Sequence, residues 1–130
     1  MLKKDIKHIE RIITNINELA ILTKNRDSEY FYNSSEMVIL CTLVNEIDDS
    51  LIDINEKLKN KYKNINWNII SSQKNNEQSL TVGKVWELSS HLLKDDIYNE
   101  LKSLLSKELP IYYKNYCDKK TRQEKQKTKL

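Results

Sequence analysis

From Ile6 onward, apolar side chains return every three or four residues, at Ile6, Ile9, Ile12, Ile13, Ile16, Leu19 and Leu22, with Ala20 alongside. An α-helix turns once per 3.6 residues, so this spacing gathers the apolar groups along one side of a helix predicted from Lys3 to Lys24. Such a stripe has to be covered by other apolar surface, and the next segment supplies it. Residues 36–61 carry Met37, Val38, Ile39, Leu40, Cys41, Leu43, Val44, Ile47, Leu51, Ile52, Ile54 and Leu58. The first half of this run is apolar on nearly every side, the pattern of a central helix packed by several neighbours. The second half narrows to a stripe with Asp48, Asp49, Asp53, Glu56 and Lys57 facing outward. One helix from Glu36 to Lys61, about seven turns long, is predicted.

The remaining elements follow from caps and breakers. Asn25 to Asn33 is a polar and aromatic connection, and Ser34 or Ser35 is placed to cap the central helix. Ile65, Trp67, Ile69 and Ile70 mark a short helix or turn, and Ser71 to Ser79 is polar throughout. Thr81 is placed to cap a helix bearing Val82, Val85, Trp86, Leu88, Leu92 and Leu93; Asp95 or Asp96 is placed to cap another bearing Ile97, Leu101, Leu104, Leu105 and Leu109. Pro110 is expected to kink or restart that last helix before Ile111, Tyr112, Tyr113 and Tyr116. One glycine and one proline in 130 residues leave little material for tight hairpins. The expected architecture is all-α: an antiparallel, up-and-down bundle of four to five helices over residues 1–116, then a disordered or extended basic tail over 117–130.

The tail accounts for the basic charge. Six cations, Lys119, Lys120, Arg122, Lys125, Lys127 and Lys129, stand against Asp118 and Glu124, which makes residues 117–130 +4 and leaves −1 for residues 1–116 out of the total of +3. A charge held by a tail is a poor argument for a nucleic-acid face built into the fold. Cys41 and Cys117 are too few and too scattered for a disulfide framework or a metal site, so a reduced, cytoplasmic setting is expected. No stretch approaches the roughly 18 apolar residues of a membrane span, and the amphipathic start does not read as an export signal.

Few constellations can carry chemistry. A single glycine excludes glycine-rich phosphate loops. His8 and His91 are far apart, and Asp48, Asp49 and Asp53 form the only carboxylate cluster, which reads as a solvated helix face rather than a metal site. Cys41 lies in a wholly apolar run, a poor setting for a thiolate nucleophile. His91 remains. An imidazole can move a proton to or from a ribose hydroxyl during RNA cleavage, with a nearby cation steadying charge on the phosphate. Lys84, seven positions earlier on the same predicted helix, shares roughly the same face. A lone histidine between Leu88 and Leu92 is more often a structural or surface residue than a catalytic one.

The order of certain words resembles a known family. Asp5-Ile6 through Ile16, the helix from Met37 to Leu58, the run Asn60-Lys61-Tyr62-Lys63-Asn64-Ile65-Asn66-Trp67 and the closing Glu108-Leu109-Pro110 are similar, in sequence order, to the HEPN superfamily. The likeness is to the toxin of HEPN–nucleotidyltransferase toxin–antitoxin pairs, whose fourth word is a helix carrying Arg-x4-6-His. Here no arginine lies between Arg26 and Arg122, and two registers compete for that motif. Counted forward from Trp67, the arginine and its following asparagine fall on Lys74 and Asn75 and the histidine on Ser79, which implies an inactive protein. Counted backward from Leu109-Pro110, the histidine falls on His91 with Lys84 in the arginine's place after Gly83. This register needs an insertion that the polar Ser71 to Ser79 stretch can supply, and it puts Leu93 where the family has a modifiable tyrosine.

The resemblance implies a homodimer, a nucleotidyltransferase-type or other protein partner, RNA as the substrate class, and no metal or other cofactor. Three functional expectations follow. The first is a divergent HEPN-like module of a toxin–antitoxin or phage-defence type system that dimerises or binds a partner without cutting RNA. The second is a metal-independent endoribonuclease using His91 with Lys84, where lysine keeps the charge but loses arginine's two-pronged phosphate contact. The third is a small helical interaction or inhibitor protein unrelated to RNA, docking through a stripe of Trp86, Leu93 and Ile97.

Overall fold

A computed structural model describes the backbone of residues 1–32, 34–71 and 81–128, with side chains in that set as far as Cys117. Among the described residues the chain is all-helical: α1 (Lys3–Thr23), α2 (Ser28–Tyr32), α3 (Glu36–Asp53), α4 (Glu56–Lys61), α5 (Val82–Lys94) and α6 (Ile97–Thr128). The all-α reading holds, with six helices in place of four to five. No helix among these residues is long and apolar enough to cross a membrane.

α1 forms where the apolar spacing puts it. Asp5, three residues beyond Leu2, accepts the Leu2 N–H at 2.9 Å and so satisfies one orphan donor at the helix start. Asn25 ends the helix with φ 58°, a left-handed conformation that asparagine tolerates better than most residues. Three links then tie α1 and the residues after it to α3 and the residues after it: Asp5 Oδ1 accepts the Asn55 N–H at 3.0 Å, Asn15 Nδ2 donates to Glu46 at 3.2 Å, and Arg26 pairs with Glu36. Residue numbers rise along one helix as they fall along the other, so the two run antiparallel. Between them Ile9, Ile12, Ile16 and Leu19 pack in one core with Leu40, Val44, Ile47 and Leu51. Each such side chain contributes roughly 1.5–3 kcal/mol on burial.

The predicted seven-turn helix is broken in two. Ile54 adopts an extended conformation (φ −68°, ψ 140°) and Asn55 restarts the chain, its side chain accepting the Lys57 N–H at 2.8 Å. The periodicity of Leu51, Ile54 and Leu58 continues across the break, which hid it. What decides the matter is long-range: the Asn55 N–H is taken by the fully buried Asp5 carboxylate instead of by a helical carbonyl. α3 is also less enclosed than expected, for Val38 and Ile39 are 70% and 52% exposed.

The connection after α1 contains a helical turn that polarity concealed. α2 presents the fully buried Phe31 to Trp86 of α5, ring centroids 5.5 Å apart, with Tyr30 edge-on to it at 5.1 Å. Thr81 caps α5 as expected, its hydroxyl accepting the Lys84 N–H at 3.2 Å. α6 departs furthest from expectation. It continues through Pro110 to Thr128, so the helix does not restart at the proline. Lys, Gln, Glu and Arg are good helix formers, and no glycine or proline follows Pro110 to stop the helix. Around the proline, Glu108 is anchored on one side and Tyr112 packs toward α1 on the other.

Candidate functional site

Thr81 sets the start of α5, and from there the helix fixes Lys84, Glu87 and His91 three and four residues apart. Residues at that spacing are neighbours on a helix surface. Glu87 stands between the two residues that the sequence singles out. Its Oε2 lies 3.7 Å from Lys84 Nζ and its Oε1 lies 3.8 Å from His91 Nε2. His91 and Lys84 therefore do share a face, but a carboxylate occupies the space between them. That face is open, with the His91 side chain about half exposed. The 240 Å³ groove beside α5 is lined by Trp86, Ser89, Leu93 and Lys94 with Thr23 and Arg26 of the α1 end, and by neither His91 nor Lys84.

The competing register, Lys74, Asn75 and Ser79, lies outside the described residues. Leu93, where the register through His91 would put a tyrosine, is exposed. The docking stripe of Trp86, Leu93 and Ile97 is not a continuous surface stripe: Ile97 is fully buried, Trp86 is half-buried against Phe31, and Leu93 is exposed. The sequence shows an apolar spacing but cannot tell which side of α5 the α2 turn will cover.

The cluster of Asp48, Asp49 and Asp53 is split between core and solvent. Asp48 is buried and the other two are exposed, and no group of three or more His, Cys, Asp or Glu among the described residues is arranged to hold a metal ion. Cys41 is half-buried with Asn45 Nδ2 at 3.5 Å from its sulfur, and Cys117 is exposed; both are free thiols.

A second polar cluster was hidden from the sequence. Glu108, buried on α6, accepts from the Tyr62 hydroxyl at 2.7 Å and from Lys61 Nζ at 2.6 Å, while Trp67 Nε1 donates to the Tyr62 carbonyl at 3.0 Å. The run ending in Trp67 and the closing Glu108-Leu109-Pro110, two of the words that carry the resemblance, thus meet in space. Burial alone would push the Glu108 carboxyl up, but the hydrogen bonds from Lys61 and Tyr62 and the lysine's charge outweigh it and hold the group below the usual carboxylate value. Burial, reinforced by the neighbouring carboxylate, pushes the Tyr62 phenol up to about 12, so the hydroxyl stays a donor at any physiological pH. The polar groups of this joint satisfy one another. Its only advance signal was a chemistry-bearing residue type at an apolar helix position, since Glu108 follows Leu101, Leu104 and Leu105 at helical spacing.

Glu100, two turns earlier on α6, has the opposite surroundings. One carboxylate oxygen is buried without a hydrogen-bond partner, and burial, then the charges of Asp95 and Asp96, raise its pKa. It lines a 340 Å³ groove with Tyr62, Asn99 and Ser103. Comparison of the chain with protein-family models, with curated proteins and with solved structures gives no match.

Proposed function

We propose that this chain is a divergent HEPN-like helical module of a toxin–antitoxin or phage-defence type system, which docks on a protein partner, in the first instance a second copy of itself, and does not cut RNA. The observation that carries the docking part is the exposure of large apolar residues at one end of the α1–α3 pair. Ile21, Val38 and Ile39 are 69%, 70% and 52% exposed, and the pairing of Arg26 with Glu36 puts them at the same end of the antiparallel pair. Large apolar groups left in water at one end of a helical pair are candidates for burial against a second chain. The reading takes a reducing, cytoplasmic setting, in keeping with two free thiols.

Loss of cleavage fits what surrounds His91. Glu87, within 4 Å of both Lys84 and His91, repels a phosphate where an active site would attract one, and Lys84 offers a point charge in place of a planar fork. The alternative of a metal-independent endoribonuclease draws on one observation: His91 and Lys84 lie on one open face, within reach of a common substrate if Glu87 swings aside.

The docking reading is tested by light scattering on the chain as it elutes from a sizing column. A mass twice 15.5 kDa is expected, falling to the single-chain mass in Val38→Glu/Ile39→Glu. A wild-type chain that is strictly monomeric and retains no partner in a pull-down contradicts it.

A further inference from the structure

The net charge of −1 over residues 1–116 hides a local concentration of cations where α1 begins. Lys3, Lys4, Lys7 and Arg11 fall in its first three turns. A helix N-terminus is the positive end of the helix dipole, so lysines there cost stability instead of adding it. Asp5, the acid of the first turn, does not offset them at the surface, because it is fully buried and holds the Leu2 and Asn55 amides. Neither Lys3 nor Lys7 is held in an ion pair with another described residue. Concentrating unpaired positive charge at an unfavourable place is what an anion site requires.

Across from these lysines α6 supplies aromatic rings. Lys3, Lys7 and Glu10 of α1 and Tyr112, Tyr113 and Tyr116 of α6 line a groove of about 330 Å³. Tyr113 and Tyr116 are 57% and 54% exposed, large rings left in water, while the half-buried Tyr112 stands edge-on to Tyr113 with centroids 5.5 Å apart and props it. Glu10 is the one carboxylate on the groove wall. Beyond Tyr116 the same helix continues to Thr128 through a segment whose net positive charge equals that of the whole chain. Aromatic faces beside a cationic track are how sequence-tolerant proteins hold single strands: bases stack on the rings while lysines follow the phosphates. A duplex hides its base faces and cannot use such rings.

We propose that the groove between the start of α1 and the Tyr112–Tyr116 turn of α6 binds single-stranded nucleic acid, with Lys3 and Lys7 on the phosphates and Tyr113 and Tyr116 stacked on bases. This inference uses neither His91 nor the apolar end of the α1–α3 pair, so it stands or falls apart from the docking reading.

Fluorescence anisotropy of the full chain with a short labelled oligouridine tests it. Saturable binding at about 50 mM salt is expected, weakening steeply toward 200 mM. Tyr113→Ala/Tyr116→Ala is expected to lose roughly tenfold or more in affinity, and Tyr113→Phe/Tyr116→Phe to keep most of it because the ring face remains. Lys3→Gln/Lys7→Gln, at exposed positions that leave the fold intact, is expected to bind more weakly and with a shallower salt dependence. Absence of binding at the lower salt, equal affinity for a duplex, or unchanged affinity in the tyrosine-to-alanine and the lysine variants overturns the proposal. The last of these outcomes would leave a bare polyelectrolyte effect of the distal α6 cations.

Discussion

Glu108 and Glu87 each stand between two partners, yet they hold different kinds of structure together. Glu108 is buried, and Lys61 and Tyr62 reach it from a segment 46 residues away in sequence, at 2.6 and 2.7 Å. Glu87 is exposed, and Lys84 and His91 flank it on its own helix at 3.7 and 3.8 Å. The buried, charge-assisted contact closes a long loop and fixes where α4 and α6 meet. The exposed ladder adds only the few tenths of a kcal/mol typical of surface pairs on a helix. The first is built as a joint of the fold, and the second lies open on the surface of α5.

The largest break in this comparison comes from removing the wedge behind the joint. Trp67→Ala should destabilise the protein by about 3–5 kcal/mol, read as a fall in the denaturation midpoint, because the buried indole leaves a cavity and the Tyr62 carbonyl loses its donor. Glu108→Ala should cost roughly 1–3 kcal/mol by stranding the Tyr62 hydroxyl, and Tyr62→Phe about 1 kcal/mol, with the two losses less than additive since they share one hydrogen bond. Glu87→Gln should change stability by about 0.5 kcal/mol or less. A Glu87 effect as large as that of Glu108 would erase the distinction.

Acid titration sharpens the comparison within α6. The Glu108 carboxyl lies below its unfolded value of roughly 4.3, so its stabilisation is complete above that pH and is lost as pH falls through the lower folded value. Glu100 has the opposite sign: its folded pKa is raised, so its contribution is fully present below roughly 4.3 and lost as pH rises through the folded value. Thermal unfolding should therefore show Glu100→Gln more stable than wild type at pH 7, with the difference closing at pH 4 and below. Glu108→Gln should be less stable than wild type at pH 7, with a gap that narrows under acid. A Glu100→Gln chain that is no more stable at neutral pH contradicts the unpartnered, raised carboxylate.

What was legible in the chain followed from local chemistry. The isoleucine spacing places α1 nearly to the residue, and Thr81 announces the start of α5 because a threonine before a fresh apolar period has few other uses. What was not legible depended on contacts far away in sequence. The break at Ile54 and Asn55 needs Asp5 to take the Asn55 amide, and no periodicity reports on a partner fifty positions distant. The continuity of α6 past Pro110 is a similar case, since proline's local cost is overridden by packing on both sides. His91 and Lys84 were correctly placed on one face, but the spacing that joined them also puts Glu87 between them, and that third residue changes what the pair can do. The tyrosine groove was unreadable because its two walls come from opposite ends of the chain.

The most direct test of the account is to incubate the purified chain with RNA in EDTA beside its His91→Ala variant and follow the RNA on a denaturing gel. The account predicts intact RNA in both. Cleavage by the wild-type chain that His91→Ala abolishes, and that persists without metal, would contradict it.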